Sequence, residues 1–405
     1  MDRWLLWHLA WLGCLGTACV ADDGDPAAET DGAMETSGGT GEGPQPAGPE
    51  SAPDPSVAGP YPVGVRTVEL VDASRIDDMG VPRPITVEVW YPAVEEARDM
   101  ETVTYAIEDV LRPEVLEDVS GIQVALETDA VRDAAVRNDG PFPVVLFSHG
   151  SGGVRMQSTY LTVALASHGY VVAAPDHRGN TLSDAILAGG VSDEATLQSF
   201  ADRPFDMAFV LAWIEDLPAD DPLSAATDTR RLGVAGHSFG ALTAVRWMGM
   251  GAPVDAVVAQ APPSMDLAWI AIRDDLATFD TPLMLHVGGI DMTTPPADAE
   301  SIWSEASPPR SRLTLATGGH FTFSDMCTVP REALQAVAAA GVSNALDDGC
   351  SPQNIDATLA FPVLRHYAIG YFNLNLRDSA PTATLLTEEA GRALLGDEVT
   401  FEIEG

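Results

Sequence analysis

The chain has 405 residues, enough for one large domain or two modest ones, and its 46% apolar content can fill a sizeable core. Asp and Glu total 60 against 21 basic residues, a formal net charge of −39 that repels nucleic acid and anionic membrane surfaces. Every basic residue is arginine, so Schiff-base lysines, P-loop lysines and Ser–Lys dyads are excluded.

The chain opens with Arg3 and an apolar run from Trp4 to about Cys19, which reads as a signal peptide. The run is short of the roughly 20 residues that a transmembrane helix needs. Leu15-Gly16-Thr17-Ala18-Cys19 resembles a bacterial lipoprotein processing site, so Cys19 is a candidate for lipidation; plain secretion and a retained anchor are the alternatives. On each reading the mature domain leaves the cytoplasm, and membrane contact comes only through the N-terminus. Residues 20–60 are Ala, Asp, Gly, Glu, Pro, Ser and Thr with little to bury, the composition of a disordered acidic tether. Residues 61–405 read as a single domain. Cys327 and Cys350 are then the only mature pair, and a disulfide between them is permitted in an oxidising compartment.

Ile85 to Pro92 alternates and is β-rich, the pattern of a strand. Residues 95–138 are polar and predict a helical excursion. Phe142 to Ser148, Tyr170 to Pro175, Arg231 to Ala235, Ala256 to Gln260 and Pro282 to Val287 are short apolar runs, expected of strands buried on both faces. Arg312 to Ala316 is a last strand candidate. Helices are predicted over 159–168, 203–217, 241–250 and 361–376, with 180–201 as a loop that could act as a lid. This alternation predicts an α/β fold with a mostly parallel central sheet and helices on both faces. Ligands in such folds bind beyond the C-terminal strand ends.

Chemistry gathers at those ends. Gly236-His237-Ser238-Phe239-Gly240 matches G-x-S-x-G between a buried strand and a helix, the setting of a nucleophile elbow. An idle serine in a Gly-rich turn would match equally, so the base and acid must be found. His320, in the loop Thr317-Gly318-Gly319-His320 after the last strand, is the candidate base. His286 lies inside an apolar strand and His366 on a helix, both better read as structural. Asp266, Asp280 and Asp291 are the candidate acids, and Asp291 is best placed, just past a strand end. The amide of Phe239 and an amide of the Ser148–Gly153 loop are candidate oxyanion donors. Trp90 and Tyr91 are candidate pocket residues.

At this point the segments FPVVLFSHGSGGVR, ASHGYVVAAPDHRGN, RPFDMAFVLAWI and GVAGHSFGALTA resemble the α/β-hydrolase superfamily. Within it they resemble the platelet-activating-factor acetylhydrolases and the dienelactone-hydrolase-like secreted proteins. The resemblance runs from about Thr86 to His320. It implies the α/β-hydrolase fold, a cofactor-free carboxylic-ester hydrolase without a metal, and Ser151 as the second oxyanion amide. The acetylhydrolases carry their acid after the strand that here reads AVVAQAPP, where this chain has Gln260; GGIDMTTPP and GGHF instead resemble the acid and His loops of cutinases and polyester hydrolases. Dienelactone hydrolases use a Cys nucleophile where this chain has Ser238. The expected substrate is a small-molecule, lipid or polymeric ester. The rival reading is a surface-tethered, non-catalytic binding protein on the same scaffold. A metal-dependent hydrolase would have to use Asp176, His177 and Asp184, whose spacing matches no known metal motif.

Overall fold

The computed structural model describes residues 54–405 except 78–79, 118–120, 122, 265–275, 277–279 and 340–346. The leader, Cys19, most of the tether and Asp266 lie outside the described residues.

Twelve strands are described, numbered here in chain order. They are β1 (Val63–Ile76), β2 (Pro82–Pro92), β3 (Thr104–Ala106), β4 (Ala125–Glu127), β5 (Ala130–Arg132), β6 (Phe142–Ser148), β7 (Val171–Pro175), β8 (Thr227–His237), β9 (Ala256–Gln260), β10 (Leu283–Gly288), β11 (Arg310–Leu315) and β12 (Val399–Glu404). Ten form one sheet in the order β12-β11-β10-β9-β8-β6-β7-β2-β1-β5, and β3 pairs with β4 alone. From β11 to β7 neighbouring strands run parallel; β2 returns antiparallel on β7, β1 on β2, and β12 on β11.

The apolar runs behave as two-faced strands. Val145 and Phe147 of β6 enter one core cluster with the helices Thr159–Ser167 and Ala357–Leu376. Their neighbours Val144 and Leu146 enter a second cluster with the helices Asp193–Glu215, Phe239–Gly249 and Pro296–Glu305. Successive side chains point to opposite faces, so continuous hydrophobicity means burial on both.

Several expectations need correction. Residues 180–201 are not a loop. Thr181 caps a helix over Leu182–Ala188, with Asp184 completing a capping box, and Gly189 ends it at φ 69°. Ser192 then caps Asp193–Glu215, which accommodates Pro204. The helical excursion expected over 95–138 is mostly short 3-10 turns and the small strands β3, β4 and β5, with one helical turn at Ile107–Val110. Trp90 and Tyr91 lie away from the C-terminal strand ends. Strand β2 runs antiparallel to β7, with Trp90 opposite Val172, so both aromatics lie at the N-terminal edge of the parallel strands. Both are buried there, and the Tyr91 hydroxyl donates to the Ala134 carbonyl (2.9 Å).

Burial also sets the pH response of the fold. It holds His168 and His177 down at about 4, His237 and His286 down at about 3, and His149 well below its ordinary value. Each binds its proton more readily in the unfolded chain. Their contribution is therefore complete above about pH 6.5 and lost as pH falls toward these depressed values. Asp325 acts oppositely: burial pushes it up to about 7, so its contribution fades as pH rises through neutrality. Burial also lowers His366 and raises Asp176 and Asp255, so six imidazoles stand against three carboxyls. The melting temperature should fall steadily between pH 6.5 and 4, and His286→Gln should flatten part of that slope; calorimetric melts across this range check it.

Candidate active site

The parallel strands end at Ser148, His237, Gly288 and Leu315, and the segments following them converge. Ser238 sits between β8 and its helix at φ 55°, ψ −122°, a conformation that non-glycine residues rarely adopt. Two glycines make that turn possible. A Cβ on Gly236 would overlap the Gly240 carbonyl, and a Cβ on Gly240 would overlap the carbonyl of Ser148. The elbow is thereby pressed against the end of β6.

The His320 Nε2 lies 2.9 Å from Ser238 Oγ, and its Nδ1 lies 3.0 Å from Asp291 Oδ2. Facing a carboxylate, Nδ1 carries the proton, which leaves Nε2 to accept from the serine hydroxyl. Asp291 is held in turn: Oδ1 accepts from the amides of Thr293 (2.9 Å) and Thr294 (2.7 Å), and Oδ2 from the Thr294 hydroxyl (2.8 Å). His320 and Asp291 are buried, whereas Ser238 is partly accessible. The Ser151 and Phe239 amides, expected as oxyanion donors, have no acceptor among the described residues; Phe239 is buried and Ser151 is exposed.

The alternatives go elsewhere. Asp280 precedes β10, at the far end from the site. His286 lies within β10, its Nδ1 3.1 Å from the Gln260 amide nitrogen, and His366 Nε2 donates to the Leu385 carbonyl (2.8 Å). Gln260 also donates to the Tyr160 hydroxyl (2.8 Å), a neutral group where the acetylhydrolases place their acid. Asp176 pairs with Arg155, His177 with Asp206, and Asp184 caps a helix and pairs with Arg112. Among the described residues no group of three or more His, Cys, Asp or Glu is arranged to hold a metal.

Two supporting residues carry no motif. Asp348 Oδ2 accepts from the amides of Met292 (2.9 Å) and Thr293 (2.8 Å), while Oδ1 accepts from the His320 amide (3.2 Å). One buried carboxylate thus ties the acid loop to the His loop. Two residues on, Cys350 is bonded to Cys327, fixing this segment beside the His320 loop. Gln157 links the opposite side. Its Oε1 accepts from the Gly150 amide (2.9 Å), and its Nε2 donates to His237 Nδ1 (2.7 Å). His237 Nε2 then donates to the His320 carbonyl (2.9 Å).

A second Ser–His–Asp row lies deeper: Ser148 Oγ is 2.9 Å from His177 Nε2, and His177 Nδ1 is 2.9 Å from Asp206. All three side chains are sealed from solvent, so no substrate reaches them. The row anchors the end of β6.

A family model described as platelet-activating factor acetylhydrolase, isoform II, matches residues 50–195, and one described as the alpha/beta hydrolase fold matches residues 143–280. The chain belongs to the α/β-hydrolase superfamily. Among curated relatives, the platelet-activating factor acetylhydrolase of Cavia porcellus is 23% identical over 153 residues. That of Bos taurus is 26% identical over 156 residues. Each match covers 30% of this chain and 35% of the relative, so the chain spans about a third of the length of these relatives. Among solved structures, a ferulic acid esterase from Streptomyces cinnamoneus superposes with a TM-score of 0.61 at 24% identity, over 89% of this chain and 99% of that one.

The position of Asp348 generates a prediction. Asp348→Ala removes acceptors from both loops, so the Asp291 and His320 loops should loosen and any ester turnover at Ser238 should fall about 10-fold or more while most secondary structure persists; steady-state kinetics with circular dichroism on the same sample checks it.

Proposed function

We propose that this α/β-hydrolase is a serine esterase acting outside the cytoplasm, with Ser238 as nucleophile, His320 as general base and Asp291 as the orienting acid. One observation carries the reading: a partly accessible serine, held at positive φ, bonded to an imidazole whose far nitrogen meets a buried carboxylate. Ser238 attacks the ester carbonyl as His320 Nε2 takes its proton. Asp291 stabilises the imidazolium, and the Ser151 and Phe239 amides receive the oxyanion. His320 returns the proton to the departing alcohol. Water then attacks the acyl-enzyme, with His320 again as base. The Cys327–Cys350 disulfide fits an oxidising compartment and supports the extracytoplasmic placement.

An apolar cavity of about 80 Å³ lies against Gly152 and Gly153, walled by Ile107, Val110, Leu126, Leu182 and Leu334. Ser238 and His320 do not line it and Asp325 does, but it adjoins the Ser148–Gly153 loop, and in this reading it takes a short, uncharged acyl group. The similar proteins are a platelet-activating factor acetylhydrolase and a ferulic acid esterase, and a short acyl pocket is compatible with the first.

Ser238→Ala should lower kcat at least about 10⁴-fold and abolish labelling by a fluorophosphonate, and Asp291→Asn should cost about 10³- to 10⁴-fold through the wrong imidazole tautomer. Wild-type protein that takes no label would instead support a non-catalytic binding role. Across p-nitrophenyl esters, kcat/KM should peak between acetate and butyrate and decline toward octanoate; a rise with chain length would contradict the short pocket.

A further inference from the structure

The helix Asp193–Glu215 carries an arginine with no access to solvent, Arg203. A buried guanidinium needs a partner for every donor, and this one is fully committed. Its Nε donates to the Ser199 hydroxyl (2.8 Å). One terminal nitrogen donates to the His149 carbonyl and to Ser148 Oγ (3.5 Å). The other donates to the Gly150 carbonyl (3.1 Å) and to Asn180 Oδ1 (2.6 Å). The plane also lies 4.8 Å from the centre of the Phe239 ring, next to Ser238.

The Gly150 carbonyl is the informative acceptor. Besides Arg203 it takes the Gly153 amide (3.1 Å) and His149 Nδ1 (2.7 Å). His149 Nε2 accepts from the His177 amide (3.1 Å), which places the imidazole proton on Nδ1, as that bond requires. Three donors therefore hold one oxygen. A trans peptide is planar with its C=O and N–H antiparallel. Fixing the Gly150 oxygen toward Arg203 fixes the Ser151 N–H in the opposite direction, away from the guanidinium. Donors on the carbonyl also polarise the amide and strengthen it as a donor. Asn180, held by Arg203, donates to Ser151 Oγ (3.2 Å) and keeps that side chain back.

We propose that Arg203 is a positioning residue that aims the Ser151 amide at the oxyanion by gripping the Gly150 carbonyl from behind. This rests on the esterase reading given above. Burial lowers the Arg203 pKa to about 9, which leaves it charged at neutral pH. A lysine could carry that charge but not the planar fork that reaches two carbonyls, Asn180 and Ser199 together.

The test compares wild type, Arg203→Met, Arg203→Lys and Ser199→Ala in the full-length protein. Short-chain ester kinetics, affinity for an alkyl boronate that forms a tetrahedral adduct on serine, and fluorophosphonate labelling are read on each. Arg203→Met and Arg203→Lys should lose about 10²-fold in kcat and a similar factor in boronate affinity, with KM nearly unchanged. Ser199→Ala, which frees one edge of the guanidinium, should lose several-fold in both. Folded Arg203→Met with wild-type kcat and boronate affinity would overturn the proposal, as would parallel losses in KM and kcat with boronate affinity intact. If the arginine variants do not fold, Ser199→Ala decides: unchanged boronate affinity overturns it. Wild-type protein with neither turnover nor label would take down the esterase reading and this inference together, whereas labelled wild type with indifferent variants would remove this inference alone.

Discussion

The site depends on one steric fact: the backbone after β8 touches the backbone at the end of β6 with no space for a methyl group. Gly240 lies against the Ser148 carbonyl, and Gly236 against Gly240. That contact turns Ser238 out of the strand and brings the loop with Ser151 alongside it. A side chain at Gly240 would force the elbow off the end of β6, and one at Gly236 would force the strand off its following helix. The placement of one accessible hydroxyl thus rests on backbone atoms buried behind it.

The polar groups around that contact are arranged for permanence. His149, His177 and His237 are buried and held neutral, each fixed as one tautomer by a donor on one side and an acceptor on the other. Gln157 connects the Gly150 amide to the His320 loop, and Asp348 connects that loop to Asp291. The buried row Ser148–His177–Asp206 has nearly the same distances as Ser238–His320–Asp291. Accessibility separates them: the first fastens a strand end, while the second presents its hydroxyl to solvent.

Much of this was legible in the sequence, for definite reasons. The central strands are two-faced and read as continuous apolar runs. G-x-S-x-G between a strand and a helix located Ser238, and the loops beyond the later strands supplied His320 and Asp291, which the fold brings within hydrogen-bonding distance. Other features left a signal that went unread. Strand β12 alternates as Val399, Phe401 and Ile403 between Thr and Glu, and Thr181 with Asp184 spelled a helix cap inside a segment expected to be a loop. Trp90 and Tyr91 were misplaced because strand direction cannot be read from composition. Asp348, Gln157 and Arg203 left no signal, because their partners are mainly backbone atoms of remote loops, which only the folded chain brings near.

Strand β12 also bears on what the border of such a wide sheet offers to another chain. An open sheet ends in unpaired backbone that can recruit another chain, and long, flat, apolar borders are the hazard. Here one border is β5, only three residues long. The other is β12, where Glu402 and Glu404 lie directly opposite Arg312 and Arg310 and form ion pairs with them. A strand from a second copy would have to pack beside these charges on a protein that already repels its own kind through its net negative charge. Colloidal solubility is thus written into the last residues of the sheet, where replacing both glutamates with valine would leave an adhesive β-rich margin.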